Sequence, residues 1–355
     1  MPTTAPHSPP ALNRRAFLSA LTGAAALPLL AACTAARGAG GGLAADAPLP
    51  TAVARDTRLT VSIHTTEKQL EGAGLLGDLP FTVAGWPNIS AGPDVIQAFR
   101  ARSVDVASNA GVPPIQAAAI GFAARIVAVV TKPVPIYQFG TAPGTAITTL
   151  ADLRGKRIAF SQGQAQGVVV LRTLKELGLS TKDVTLTPLT SNQFLTALQA
   201  RQVDVAPLSE PSTTKYLQQY GRDGARALDM HAVDYLTVLW SPVEVLTDPA
   251  KAAAVRAFIP YWVRGQIWAY ENPEKWIDLY YVKDQGVSAA DGQRIVATTP
   301  KPVVPASWER AIAWEQETAD LLAEGGFVPR VTASELFDRR FERVAAEAAT
   351  PQYRE

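Results

Sequence analysis

The chain has a single cysteine, Cys33, in 355 residues, so an internal disulfide cannot form. It has three histidines, and one of them, His7, lies far toward the N-terminus, which argues against a histidine-built metal centre. An excess of charge is also missing. Lys and Arg number 33 against 32 Asp and Glu, a formal net charge of +1. That balance argues against a nucleic-acid partner and against an acidic solvating tail. Beyond the N-terminal leader no segment is long and apolar enough to cross a bilayer. No glycine-rich phosphate loop of the Walker type is present, and no Ser/His/Asp or Cys/His set is visible. What remains is a globular composition, 47% hydrophobic and 18% charged. The length exceeds what one ordinary core needs, so two lobes are expected.

The lone cysteine has an informative position. Arg14-Arg15-Ala16-Phe17-Leu18 resembles a twin-arginine export signal, although an arginine pair also occurs in general secretory leaders. A short apolar stretch, Ala24 to Leu30, contains Pro28 and is too short to span a membrane. Leu30-Ala31-Ala32-Cys33 then resembles a lipobox, in which the cysteine becomes the lipidated first residue. Residues 1–32 are thus expected to be a signal peptide, and 33–57, rich in Gly, Ala, Thr and Pro, a flexible tether. The expected location is outside the cytoplasmic membrane, held there by lipid on Cys33.

Strands and helices alternate after residue 58, which argues for mainly parallel sheets. Leu59–Ile63 alternates as a strand and is followed by a polar loop, His64–Glu67. Phe81–Ala84, Val104–Ala107, Arg125–Val130, Ile158–Phe160, Val184–Leu186 and Val203–Ala206 read as further strands. Helical spacing marks 94–102, 167–177 and 192–201, and from Pro249 onward the pattern is helical. The tryptophans in that C-terminal part sit at helical spacing and read as core.

One internal echo outweighs any single element. The decapeptide Ala98–Ala107 recurs as Ala197–Ala206, ninety-nine residues later, with seven of ten positions identical. Each copy ends a helix and enters a buried strand, so two lobes on one plan are expected. Asp105 and Asp204 occupy equivalent places and read as structural.

These segments resemble the type II solute-binding proteins of ABC transporters, in the nitrate, sulfonate and taurine class. The resemblance covers about residues 58–346 and is carried by Ala91-Gly92-Pro93, Val104-Asp105-Val106, Ala110–Pro114, Leu150–Ala159 and Leu177–Ser180. Val255–Phe258 and Asn272–Glu274 extend it. It implies an α/β fold of two lobes, each a mainly parallel sheet flanked by helices, with extra C-terminal helices. Lobe one would comprise 58–140 and 241–348, and lobe two 141–240. The two chain crossings would lie near Gln138–Thr145 and Leu236–Val243.

In open α/β sheets, ligands sit beyond the carboxyl ends of the strands. That rule, with the resemblance, selects four loops: His64–Glu67, Asn109–Val112, Ser161–Gln166 and Ser209–Pro211. Ser161, Gln162, Gln164 and Gln166 offer hydrogen bonds just before a helix start, and Gly163 permits close approach. Asn109, Ala110 and Gly111 precede another helix. His64, Thr65 and Thr66 follow the first strand, and Trp86 stacks on a ligand or simply packs. Glu210 receives an ammonium or hydroxyl, or pairs with an arginine; Tyr235 lies near the second crossing and reaches toward the cleft. None of the four loops carries Arg or Lys, so an anion would be held by dipoles and amides.

The expected function is binding without chemistry, with no cofactor and no metal. The solute would be a small polar or anionic organic molecule such as an aliphatic sulfonate, taurine or a nitrate-like ion. The expected partners are that solute and the permease subunits of an ABC importer, with the chain itself monomeric. Three alternatives remain open: a binding protein for a thiamine pyrimidine precursor, an enzyme on the related fold, and a ligand sensor without a transport role.

Overall fold

The computed structural model describes residues 42–355. The expected signal peptide, Cys33 and the first part of the expected tether lie outside the described residues. Residues 42–57 are not a free linker. The Leu43 amide donates to the Thr247 carbonyl at 2.7 Å, and Arg340 donates to the carbonyls of Ala44 and Ala47 at 3.2 and 3.3 Å. Leu49 and Val53 pack against the core. Composition hides this anchoring because main-chain atoms make most of the contacts.

The first part of the chain runs β1 (Arg58–Ser62), α1 (His64–Ala73), β2 (Thr82–Gly85), α2 (Gly92–Arg100), β3 (Val106–Ala110), α3 (Val112–Ala119) and β4 (Ala124–Thr131). The second runs β5 (Tyr137–Thr141), β6 (Arg157–Phe160), α4 (Ala165–Glu176), β7 (Thr185–Pro188), α5 (Phe194–Gln199), β8 (Val205–Ser209), α6 (Ser212–Tyr220) and β9 (Ala227–Asp229). The chain then returns through β10 (Leu236–Pro242) into α7 (Val243–Thr247) and α8 (Pro249–Glu271). Beyond these lie α9 (Pro273–Trp276), α10 (Ala289–Thr298), α11 (Glu309–Glu324) and α12 (Glu342–Ala348). The start of α8 follows from sequence: Asp248 accepts from the amides of Ala250 and Lys251, and Pro249 fills a position that needs no donor. His64–Glu67, expected as a loop, is instead the first turn of α1.

Two five-stranded sheets result, ordered β2-β1-β3-β10-β4 and β7-β6-β8-β5-β9. Their pairing patterns match. In each, one strand pairs in parallel with two neighbours, and one inserted strand pairs antiparallel on both sides. The inserted strand is the one that arrives from the other lobe, β10 in the first sheet and β5 in the second. The crossings therefore lie at 132–136 and 230–235. The expected positions instead overlap β5 and β10, because the pairing partners of these strands are remote in sequence.

The repeated decapeptide forms the same clasp twice. Arg102 and Arg201 are the non-glycine residues with positive φ among the described residues, at 55° and 53°. Each ends a helix, and the next amide reaches back to Ala98 O at 3.0 Å or Ala197 O at 2.9 Å. The chain then turns so that Asp105 accepts from the Thr60 amide and Asp204 from the Arg157 amide, both at 2.8 Å. Lys251 pairs with Asp105 at 2.6 Å, and Arg157 with Asp204 at 2.7 Å. This clasp fixes where β3 and β8 begin, and hence where their carboxyl ends point. Behind it, Phe99 and Trp240 pack edge to face at 4.7 Å, both fully buried.

Removing either aspartate strands an amide and a cation. Asp105→Ala and Asp204→Ala should each lower the unfolding free energy by about 1–3 kcal/mol, measured by urea denaturation. A loss for one variant and none for the other would show that the two clasps are not equivalent.

Candidate functional site

A cavity of about 380 Å³ lies between the sheets. Its lining comes from strand carboxyl ends and the helix starts after them. Ser108, Asn109 and Ala110 end β3, and Ser209 ends β8. Gly92 opens α2, Pro113 lies in the first turn of α3, Ala165 and Gln166 open α4, and Ser212 opens α6. No lining residue is charged. None of these four helices has a hydrogen-bonding side chain from its capping residue. α2, α3 and α4 place the positive ends of their dipoles at the cavity, which suits an anion, whereas at α6 the Glu210 carboxylate accepts from the Thr214 amide at 3.1 Å.

Packing holds the polar groups in place. Trp240 donates to Asn109 Oδ1 at 2.8 Å, and Asn109 Nδ2 donates to the Ser90 carbonyl at 3.0 Å. One Asn109 N–H remains for the cavity. Gln164 is buried and committed: its Oε1 accepts from Ser161 Oγ and from the Ser191 amide, and its Nε2 donates to Ser191 Oγ at 2.8 Å. It orients the 161–166 loop against the turn at 190–193. Gln166 lines the cavity with no such commitment.

The structure brings Asn109, Ala110, Gln164 and Gln166 together around this cavity. Ser161 sits buried beneath it. Gln162 turns away to the Phe327 carbonyl. Gly163 touches the opposite lobe: a Cβ on Gly92 would lie 2.6 Å from the Gly163 carbonyl oxygen. Gly111 packs against Glu315.

The other sequence candidates lie elsewhere. His64 bonds Asp284 at 2.6 Å and Glu67 at 3.2 Å, away from this cavity. Burial alone would lower its pKa, but these two carboxylates raise it overall. Thr65 faces a different cavity beside Tyr280, and Thr66 is buried in α1. Trp86 packs on Phe258, with ring centres 6.2 Å apart. Tyr235 is buried against Trp314, at 5.2 Å. Glu210 accepts from Thr214 and from Arg294, the latter at 2.9 Å, and lines adjoining cavities. These misplacements share a cause: a loop's position in sequence does not say which way each side chain turns.

Sequence reading missed Ser90, Tyr137, Ser191, Asn192 and Ser212, all of which line the cavity. The strand-end rule, extended to β2 and β7, would have found Ser90, Ser191 and Asn192. Nothing in the local pattern marks Tyr137, which enters on the inserted strand. Among the described residues, no group of three or more His, Cys, Asp or Glu is placed to hold a metal.

The chain is similar to several known proteins. A family model described as NMT1/THI5 like matches residues 89–276. A putative aliphatic sulfonates-binding protein of Escherichia coli (strain K12) is 27% identical over 261 residues, 71% of this chain and 77% of that protein. The alkanesulfonate-binding protein SsuA of Xanthomonas axonopodis pv. citri, solved bound to MOPS, superposes with a TM-score of 0.71 at 24% identity. That match covers 80% of this chain and 99% of the other. The periplasmic aliphatic sulphonate binding protein SsuA of Escherichia coli gives 0.66 at 23% identity, covering 81% and 99%. The fold is that of the periplasmic binding proteins.

Behind the cavity, α11 carries Glu315, 1% exposed, with no partner for Oε1. A Cβ on Gly111 would lie 2.3 Å from its Oε2, so the carboxyl abuts the start of α3. Burial, and then Asp234, push the Glu315 carboxyl up to about 8, against the pull of Arg172. Burial pushes Asp234 up to about 6, against Lys132 and Arg172. A protonated Glu315 leaves the positive end of α3 unopposed; an ionised one would compete with an anion in the cavity. Both carboxyls hold their protons more tightly folded than unfolded, so stability must fall as pH rises from about 4.5 toward 8. Glu315→Gln should reduce the loss of unfolding free energy between pH 5 and pH 8 by a few kcal/mol, at about 1.4 kcal/mol per pH unit. Denaturant titrations at the two pH values check this, and an unchanged difference would contradict it.

Proposed function

Because the chain belongs to the NMT1/THI5-like family, we propose that it is the extracytoplasmic solute-binding component of an ABC importer and captures a sulfonate-type anion between its lobes. The observation that carries this reading is the uncharged interlobe cavity onto which the starts of α2, α3 and α4 converge. A sulfonate presents three acceptor oxygens and no donor. It therefore suits amide N–H groups, hydroxyls and an Asn109 N–H, and it needs no counter-charge. The proteins named above as relatives are themselves binding proteins, and the cavity offers no cysteine, histidine, lysine or carboxylate for covalent or acid–base work.

In this proposal the ligand contacts are Asn109, Ala110, Gln166 and the backbone of the Gly163–Gln166 turn, with Ser209 and Ser212 added from the structure. Gln164 and Ser161 hold the turn in shape. The partners are the solute and the permease subunits that receive it. The leader exports the chain, and lipid on Cys33 keeps it at the outer face of the cytoplasmic membrane as a monomer.

Binding to the folded state stabilises it by about 2.7 kcal/mol at a ligand concentration one hundred times Kd. In a thermal-shift panel, methanesulfonate or taurine should therefore raise Tm by several degrees, with nitrate, phosphate and an aminopyrimidine as comparators. Gly92→Leu places a side chain against the Gly163 carbonyl and Pro113, so it should prop the cleft and weaken sulfonate binding at least tenfold. A shift only with the aminopyrimidine would move the solute to the pyrimidine class, and a shift with none would remove the transport reading.

A further inference from the structure

Trp240, Trp262 and Trp308 are the bulkiest fully buried side chains among the described residues. The Trp308 N–H finds no partner. The other two indoles both donate to residues that line the central cavity, although neither ring lines it itself. Trp240 Nε1 donates to Asn109 Oδ1 at 2.8 Å, and Trp262 Nε1 donates to Ser108 Oγ at 3.1 Å. Ser108 and Asn109 are neighbours at the carboxyl end of β3, so their side chains leave opposite faces of the first sheet. One indole meets each of them. Trp240 arrives on β10, the strand inserted after the second crossing, and Trp262 on α8.

These partners fix the sense of both polar groups. An indole N–H only donates, and a backbone carbonyl only accepts. Asn109 must therefore turn Oδ1 to Trp240 and Nδ2 to the Ser90 carbonyl, 3.0 Å away, and cannot exchange them. Its second N–H is left for the cavity. Ser108 Oγ accepts from Trp262, and its own proton has no other partner among the described residues. Lobe two repeats the arrangement at Ser191, whose Oγ accepts from Gln164 Nε2 at 2.8 Å. At each of these residues a buried donor stands behind an acceptor, and a hydrogen is left in front.

We infer that Trp240 and Trp262 are positioning residues for the solute: without touching it, they occupy the acceptors of Asn109 and Ser108 from behind and so turn an N–H and an O–H into the cleft. This rests on the cleft reading above and adds to it a layer that sets the polarity of the lobe-one wall. A bound oxyanion completes each chain, from indole to side chain to anion, and successive hydrogen bonds in such a chain polarise one another. Because Trp240 comes with β10, the donor face at Asn109 exists only once the chain has crossed twice and completed the first sheet.

The test is a pair of double-mutant cycles, read by isothermal titration with methanesulfonate. Trp240→Phe keeps a buried ring and removes the N–H. It should weaken binding at least fivefold in the native chain and less than twofold in an Asn109→Ala background. Trp262→Phe should behave in the same way against Ser108→Ala. Equal losses in both backgrounds, or no loss from either tryptophan variant, overturn the positioning proposal and leave the cleft reading intact. A second measurement spares the buried rings. In isotope-labelled native protein, saturating methanesulfonate should move the indole N–H resonances of Trp240 and Trp262 downfield and leave that of Trp308 in place. Unmoved resonances at Trp240 and Trp262 overturn the proposal even where a variant fails to fold. If methanesulfonate does not bind native protein that circular dichroism shows folded, the cleft reading itself fails, and the positioning proposal with it.

Discussion

Each sheet is completed by a strand that belongs, in chain order, to the other lobe's side of a crossing. β10 sits between β3 and β4, and β5 sits between β8 and β9. Neither lobe can form its central pairing until the chain has crossed. The two crossings are themselves joined, since the Lys132 amide donates to the Tyr235 carbonyl at 2.8 Å. Two short, paired connections allow rotation of one sheet against the other and resist sliding. The strand ends on both sides must then meet across the same gap. That is why residues from so many separate segments line one cavity.

The left-handed arginine and following aspartate make this exchange accurate. A non-glycine residue at positive φ costs about 1–2 kcal/mol, and the chain accepts that twice, at Arg102 and Arg201. The return is a sharp reversal that puts Asp105 and Asp204 against the first amides of the neighbouring strands. The aspartates then set register by hydrogen bonding where apolar packing alone would allow slippage. The strands they position end in Ser108-Asn109-Ala110 and Leu208-Ser209, which are cavity residues. The clasp residues and the cavity residues thus occupy opposite ends of the same strand, and the duplicated decapeptide covers only the clasp end.

This explains what could be read from sequence. The duplication, the strand–helix alternation and the strand-end rule were legible because each is local or strictly repeated. β5 and β10 were not, since they share no sequence echo and their pairing partners lie in distant segments. Tyr137 was invisible for the same reason. The packing of residues 42–57 was hidden because carbonyls of alanine, which no side-chain pattern reports, accept the arginine contacts. His64 and Tyr235 were misplaced in the opposite way: each lies near a strand end, yet one is drawn outward by Asp284 and the other inward by Trp314.

The lack of charge in the central cavity bears on how such a protein works. A buried arginine would grip an anion tightly, but after release it would be left desolvated and unpaired, which costs several kcal/mol. Helix dipoles and amides each contribute less, about 0.3–1 kcal/mol per helix end, and hydrate without penalty when the cleft opens. In the proposed function, capture and release then differ by modest increments spread over three helix starts and several amides, and no single bond controls both. The same logic accounts for Glu315. A carboxylate behind α3 would oppose one of those dipoles, and burial pushes the Glu315 carboxyl up to about 8, against the pull of Arg172. Glu210, paired with Arg294, accepts from the Thr214 amide in the first turn of α6, so three of the four helix starts face the cavity without a carboxylate on their amides.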